Sequence, residues 1–372
     1  MRGYPNACYL SSPLLQPKYK SPLPTYSLNI FTVQKTIDDR RSTSSFLSLR
    51  SIPTTLLRVT RYPPFITMVP PTTEGGIHEI AELTTARSLE QLERIGAGFC
   101  GSVWAQLYTE DSSTTQLAMK REDGGPGRSL FNEYQMHERI IQAAQLYPHT
   151  RSFEIPSCYR FIPKDDQAWD QILPRLPPIF TSCNALISEK ISPMPHSVRQ
   201  LLAERYVSVA RQGTILADQK NTHCLIRPYL GRRRHISKST VQPSSRPTFF
   251  SLRNFPLHVD QMEDFGLNPL EYALAMADAL AFLHWQARVD ANDVEFVLAP
   301  PRQDHRSRPA SFESAALGSH VMWILDFDCC REMAMNEDGV DKAAKAFWRN
   351  DPYYPRPGNE ENSADQQLWH GF

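Results

Sequence analysis

The chain has no apolar run long enough to span a bilayer. It has no net charge either, because 40 Lys and Arg balance 40 Asp and Glu. The whole chain therefore offers no electrostatic footprint for nucleic acid or a membrane surface. Cys-x-x-Cys is absent. The seven cysteines (Cys8, Cys100, Cys158, Cys183, Cys224, Cys329 and Cys330) are odd in number and scattered, which reads as reduced thiols in an intracellular protein, cytoplasmic or nuclear. Without Cys-x2-Cys and a His-x3-His partner, a structural zinc site lacks its usual spacing, and zinc is not expected. His223-Cys224 and Cys329-Cys330 are adjacent pairs, which rarely serve one metal together; small buried apolar roles suit these cysteines better.

What is present is an ordinary globular composition. The 372 residues are 41% hydrophobic and 22% charged, enough for a sizeable core in one or two domains. Residues 1–84 stand apart. They are rich in Ser, Thr and Pro and carry many Arg and Lys, and their only acids before Met68 are Asp38 and Asp39. That composition cannot build a core. It suits a disordered basic tail without chemistry, or an over-extended gene model with translation starting at Met68. A mitochondrial targeting segment is a further reading if residues 1–67 belong to the protein.

The most informative stretch is Arg94–Lys120. Ile95-Gly96-Ala97-Gly98-Phe99-Cys100-Gly101-Ser102-Val103 follows the spacing G-x-G-x-x-G-x-V. Glycines at 96, 98 and 101 let a backbone turn tightly and approach phosphates. Ala118-Met119-Lys120 then ends a second extended run, after a turn at Glu110–Ser113. The alternative is a glycine-rich hairpin that binds nothing.

Periodicity orders the rest. Strands are expected near 92–96, 101–109 and 114–121. Ser129 can cap a helix over Leu130–Ala144, with Phe131, Tyr134, Met136, Ile140 and Ile141 on one face. Glu133 and Glu138 lie on this helix. Tyr159–Pro163 and Cys183–Ile191 read as strands, the second ending in a polar hinge before Pro193. A helix follows to Tyr206. Leu225–Gly231 reads as a buried strand leaving through Arg232-Arg233-Arg234, either a solvated loop or a phosphate-binding or nuclear-localisation patch. Residues 231–248 form a flexible insertion, and Phe249–Leu257 is of core type. The strongest helix spans Asn268–Arg288, with Asn268 as cap, Pro269 at its first position and Glu271 favouring its dipole. Val321–Leu325 is a strand that delivers Asp326-Phe327-Asp328.

Two resemblances emerge. CLIRPYLGRRR, FFSLRNFPLHVDQM, YALAMADALAFLHWQARVDANDVEFVLA, WILDFDCC and AFWRNDPYYPRP resemble a fungal family labelled "zinc finger protein", a domain of unknown function. This covers about Glu90 to Gly358 and implies no activity. More broadly, the order of parts resembles protein kinases and related small-molecule phosphotransferases. That resemblance implies an α+β, two-lobe fold: an antiparallel-sheet N-lobe with one helix over 85–192, a mostly helical C-lobe over 193–360, and a tail over 361–372. It also implies ATP and Mg²⁺ as cofactors. Gly96, Gly98, Gly101, Val103 and Lys120 would hold the nucleotide, with Glu133 pairing with Lys120 and Glu189 to Ile191 at the adenine-facing hinge. Asp326 would bind the metal, and Asp328, where D-F-G has glycine, adds a second carboxylate.

The departures carry equal weight. His-Arg-Asp is absent. Aligning Val297-Leu298 on the kinase hydrophobic pair puts Ala291 at the catalytic aspartate and Phe296 at the metal-binding asparagine. Asp290 and Asp293 are the candidate bases, in a re-registered loop. Only residues 329–372 follow, without A-P-E. These features favour a catalytically degenerate, pseudokinase-type module with a protein partner. An active atypical phosphotransferase is the alternative, and a transcription-linked protein the third reading.

Overall fold

Parity and periodicity build the first half. The computed structural model describes residues 91–106, 116–147, 151–234, 250–302, 311–357 and 363–372, all within one structural unit, Val69–Phe372. The basic N-terminal segment, the turn at 110–113 and most of the 231–248 insertion lie outside the described residues. Strands β1 (Leu92–Ala97), β2 (Ser102–Gln106), β3 (Leu117–Arg121), β4 (Cys158–Ile162) and β5 (Ala185–Glu189) form a sheet of order β1-β2-β3-β5-β4. Every neighbouring pair in it is antiparallel.

Side chains alternate between the two faces of a strand. Met119 and Ile187 therefore pack on one face with Trp104 and with Trp169 and Ile172 of α2 (Trp169–Ile172). Leu186, next to Ile187, packs on the other face against Leu130. Lys120 has the parity of Leu186, its register partner. It faces helix α1 (Leu130–Leu146), whose buried stripe is Leu130, Glu133, His137, Ile140 and Ala143. These positions recur at helical spacing, and two of them are polar. Ser129 Oγ accepts the Asn132 N–H at 3.3 Å, and Glu122 Oε2 accepts the Leu130 N–H at 2.9 Å. Two otherwise orphaned donors of the first turn are thus satisfied.

Beyond β5 come α3 (His196–Tyr206), α4 (Val209–Ala217), β6 (Ile226–Tyr229), β7 (Phe255–His258), α5 (Val259–Asp264) and α6 (Pro269–Ala281). Asn268 Oδ1 caps α6 by accepting the Leu270 N–H at 3.2 Å. The expected helix to Arg288 stops being α-helical at Ala281 and runs through a π-helical turn, Phe282–Gln286. Strands β8 (Glu295–Ala299), β9 (Phe312–Ser314) and β10 (Gly318–Leu325) follow, then α7 (Glu337–Arg349) and α8 (Ser363–Gly371). Residues 363–371, read as tail from the sequence, thus form a helix, and its Leu368 is buried.

The second sheet has the order β7-β6-β8-β10-β9, with β6 and β7 parallel. The fold is α+β with two sheets, one antiparallel and one mixed. The second half carries five strands beside its helices, more sheet than a mostly helical half would have. Phe296, Leu298, Met322 and Ile324 cover one face of this sheet together with Tyr272, Ala273 and Met276 of α6. Val297, Ala299, Val321 and Trp323 cover the other.

Backbone hydrogen bonds and Arg302 form one of the seams between the two halves. The Glu154 N–H donates to Met322 O at 2.7 Å, and the Ile324 N–H donates to Glu154 O at 3.0 Å. Arg302 donates to Glu154 at 2.8 Å, to Glu189 at 2.7 and 2.5 Å, and to Ile155 O at 2.6 Å. The Arg232-Arg233-Arg234 run also finds its partners within the chain, although Arg232 and Arg234 are exposed. Arg232 pairs with Asp351, Arg233 with Glu263 and Asp365, and the Arg234 N–H donates to Asp260.

Replacing Ser129 with alanine removes one α1 cap and should cost about 1 kcal/mol. For a unit of this size that lowers Tm by roughly 2–4 °C, measurable by thermal unfolding beside wild type.

Candidate functional site

The site grows from one buried cation. Lys120 Nζ donates to Glu133 Oε2 at 2.7 Å and to Asp326 Oδ1 at 2.6 Å. Strand parity turns the lysine toward α1, helical periodicity turns Glu133 back toward the sheet, and the end of β10 supplies Asp326. The Lys120 side chain is 16% exposed and that of Glu133 is 6% exposed. Burial alone would depress the lysine, but Glu133 and then Asp326 outweigh it, and the ammonium is held well above its ordinary pKa. Burial also pushes Glu133 up to about 7, opposed by Lys120 and aided by Asp326.

Asp326 has φ of +66°, a left-handed conformation uncommon outside glycine and asparagine. That turn separates the fates of the next two side chains. Phe327 is fully buried against the His137 ring, with centroids 5.1 Å apart. Asp328 is 4% exposed, and its carboxylate accepts Arg128 Nη1 at 2.7 Å. Arg128 Nη2 donates to Asp293 at 3.0 Å, and Cys329 Sγ also touches Nη1. Asn132 of α1 donates to Asp328 O at 2.9 Å and to Cys330 O at 3.0 Å. Carboxylate oxygens of Glu133, Asp326 and Asp328 lie within 4.8 Å of one another. Four carboxylates (Glu133, Asp326, Asp328 and Asp293) surround two cations (Lys120 and Arg128), which leaves two formal negative charges.

The glycine-rich turn lies over this group. Gly96 is in β1 beside Val103, its register partner in β2. The Gly98 N–H donates to Gly101 O at 2.8 Å. At Gly101 a Cβ would come within 2.0 Å of Arg121 O, so only glycine fits. The tip is docked on the segment after β3. The Gly124 N–H donates to Cys100 O at 3.0 Å, and the Gly125 N–H to Phe99 O at 2.8 Å. Asp123 accepts the Ser102 N–H at 2.7 Å and the Ser102 hydroxyl at 2.9 and 2.7 Å. Cys100 is buried there, within the field of Lys120 and Glu133, and burial pushes its thiol up to about 12.

The two candidate bases differ. Asp290 is 7% exposed, and one of its oxygens accepts both the Asn292 N–H at 3.1 Å and the Arg331 N–H at 2.9 Å. Its pKa is raised by burial, against those two bonds. Its carboxylate serves as a loop staple. Asp293, with a side chain 53% exposed, stands on the rim and contacts only Arg128 among the hydrogen bonds described. Arg288, Ala291 and Asp293 all have positive φ, between 52° and 65°.

The aligned position Phe296 is wholly buried in the core. Glu295, one residue earlier, begins β8 opposite Leu325 and accepts Arg227 Nη2 at 2.5 Å. Burial raises it to about 7 against the pull of Arg227, and Asp326 adds to the rise. Glu295 is thus the charged group at the head of β8, paired with Arg227 and within the field of Asp326.

At the hinge, the Glu189 carboxylate is engaged by Arg302 and by the Ser157 N–H at 2.8 Å. Its side chain braces the junction of the halves, while the Glu189 N–H donates to Ser157 O at 2.9 Å and that of Lys190 to Gln116 O at 2.8 Å. Ile191 packs against the Val297/Trp323 cluster. Lys120, Glu133, Asp326 and Asp328 thus gather around one centre, with Asp293 beside Asp328 across Arg128. Val103 is the register partner of Lys120 and of Gly96, and Gly98 and Gly101 belong to the adjoining turn. Asp290, Glu189 and Ile191 are held by local contacts. Arg128, Asp123 and Arg227 belong to the surroundings and carried no spacing signal in the sequence. Glu295 carried a weak one, as a charge at the head of an apolar strand.

A family model described as "Zinc finger protein" matches residues 322–372. The match covers the second half of β10, Asp326-Phe327-Asp328, α7 and α8, and so includes one wall of the site. Cys329, Cys330 and His370 are the cysteine and histidine residues of that span, short of the four ligands of a structural zinc site. Among the described residues, the clusters of metal-ligating type are carboxylate-rich with at most one cysteine, a donor set suited to hard divalent cations. No curated protein matches the chain. No helix among the described residues is long and apolar enough to cross a membrane.

Glu133 titrates near 7 in the fold against an ordinary 4.5. A carboxyl group raised on folding contributes stability below its unfolded pKa and loses it as pH rises through the folded one. Cation-free wild type should therefore lose stability relative to Glu133→Gln between pH 4.5 and 7. Denaturant midpoints of both proteins across that window check this.

Proposed function

We propose that residues 91–357 form a two-lobe kinase-like module whose cleft takes a nucleoside triphosphate with Mg²⁺, and that it works mainly as a catalytically degenerate, pseudokinase-type binding or regulatory unit. The observation that carries this reading is the bridge of Lys120 to both Glu133 and Asp326. A strand lysine, a helix carboxylate and a carboxylate after the late strand meet at one point, in the chain order of the kinase parts. In this reading Lys120 and the turn over 96–101 face phosphates, and backbone near Glu189–Ile191 faces the base. Asp326 and Asp328 would hold the metal, which neutralises phosphate charge when bound. The two surplus negative charges of the cluster suit one divalent cation.

Degeneracy rests on Asp290. One of its two oxygens accepts two backbone N–H groups, which fastens the side chain to its own loop as a staple. In the kinase resemblance the catalytic-aspartate position falls on Ala291, with Asp290 one residue off register. The family described as "Zinc finger protein" adds no activity, and the module's partner is best sought among proteins. Nucleic-acid recognition has little support, since Arg232 and Arg233 are neutralised by Asp351, Glu263 and Asp365.

One observation favours an active, atypical phosphotransferase as the second reading. Asp293 is exposed, has φ of +65°, and shares Arg128 with Asp328. Strained exposed side chains at a cleft are candidates for function. Phosphoryl transfer depends mainly on positioning and charge, so a displaced base suffices.

Thermal unfolding with and without MgATP tests the nucleotide reading. Ligand at 100 times its Kd adds about 2.7 kcal/mol, a Tm rise of roughly 5–10 °C for this size. The rise should need Mg²⁺ and vanish in both Lys120→Ala and Asp326→Ala. A well-folded wild type with no shift would refute nucleotide binding. Phosphate release that disappears in Asp293→Asn would establish the second reading over the first.

A further inference from the structure

We infer that Arg128 is a built-in latch, a side-chain cation that closes the cleft by occupying the carboxylates a divalent cation would need. The inference rests on the cation-site reading above and adds a regulatory contact to it.

Arg128 ends the segment Glu122–Arg128 that joins β3 to α1. Its guanidinium forks between two parts of the second half. Nη1 donates to Asp328 at 2.7 Å, and Nη2 to Asp293 at 3.0 Å. These acceptors lie 200 and 165 residues away in the chain. Asp328 is also one of the three carboxylates whose oxygens cluster within 4.8 Å, and Asp293, Asp328 and Cys329 form a second such cluster. Each cluster already holds one side-chain cation, Lys120 in the first and Arg128 in the second. A planar fork spanning two carboxylates fixes both direction and charge, which a lysine cannot do.

A separate set of contacts ties the latch to the glycine-rich turn. The Phe99 ring lies over the Arg128 guanidinium, 5.4 Å from its centroid. A Cβ on Gly125 would meet that ring at 2.8 Å, and one on Gly124 would meet Phe99 O at 2.3 Å. The turn, the segment after β3 and Arg128 therefore move as one piece. While Arg128 grips Asp328 and Asp293, the turn stays down over Lys120. A divalent cation on Asp328 displaces the guanidinium, and the turn is then free to rise over phosphates. Phe99, 61% exposed in the latched form, would lose its stacking partner.

The test is Mn²⁺ binding to the full chain, followed by the electron paramagnetic resonance signal of the free ion. Wild type is compared with Arg128→Gln, Arg128→Lys and Asp326→Asn, each checked for a cooperative melt. Arg128→Gln should bind Mn²⁺ at least tenfold tighter than wild type. Arg128→Lys, which keeps the charge but cannot fork, should fall between them, and Asp326→Asn should bind more weakly than wild type. Equal or weaker binding in Arg128→Gln would overturn the latch while leaving the cation site standing. So would Arg128→Lys matching wild type while Arg128→Gln binds tighter, because long-range charge alone would then account for the gain. Absence of Mn²⁺ binding in wild type and in both Arg128 variants would remove the cation site, and the latch with it.

Discussion

The ammonium of Lys120 is the point on which the two halves of the fold agree. Its partners stand 13 and 206 residues away, so satisfying it requires the first sheet, α1 and the end of β10 to arrive together. A buried ammonium without partners is costly, and removing one partner of a buried pair leaves the other uncompensated. Glu133 answers Lys120 from a helix whose first turn is fixed by Ser129 and Glu122. Asp326 answers it from a left-handed turn that the buried Phe327 keeps in place.

Charge organises the rest of the cleft. Four carboxylates surround two side-chain cations, and burial lifts Glu133 and Glu295 to about 7. Self-repulsion of this kind is relieved by a proton or by a basic side chain, and the fold pairs these carboxylates with basic side chains. Glu295 has Arg227, Asp328 has Arg128, and Glu133 shares Lys120 with Asp326. The same logic explains the setting of Asp290: one of its oxygens accepts two backbone N–H groups, which settles a buried carboxylate.

The junction of the halves is set separately. Arg302 gathers Glu154, Glu189 and Ile155 O and lies over Trp323. The Glu154 backbone joins β10 from the side. Glu189 thus braces the junction of the two halves.

The local pieces were legible in the sequence because their causes are local. Glycine spacing marked the turn over 96–101, strand parity put Lys120 opposite Met119, and Ser129 and Asn268 announced two helix starts. The chain order of Lys120, Glu133 and Asp326 was enough to suggest that they meet. What the sequence could not supply were contacts whose partners lie far apart and follow no period. Arg128 reads as one arginine in a glycine-proline loop until Asp293 and Asp328 arrive beside it. Asp290 reads as an isolated acid until Arg331 and Asn292 donate to one of its oxygens. Glu295 reads as a charge at the head of an apolar strand until Arg227 arrives beside it. Periodicity fixes which face a residue shares within its own element. Only packing between elements decides which charge sits against which, because desolvation and pairing are properties of the assembled interior.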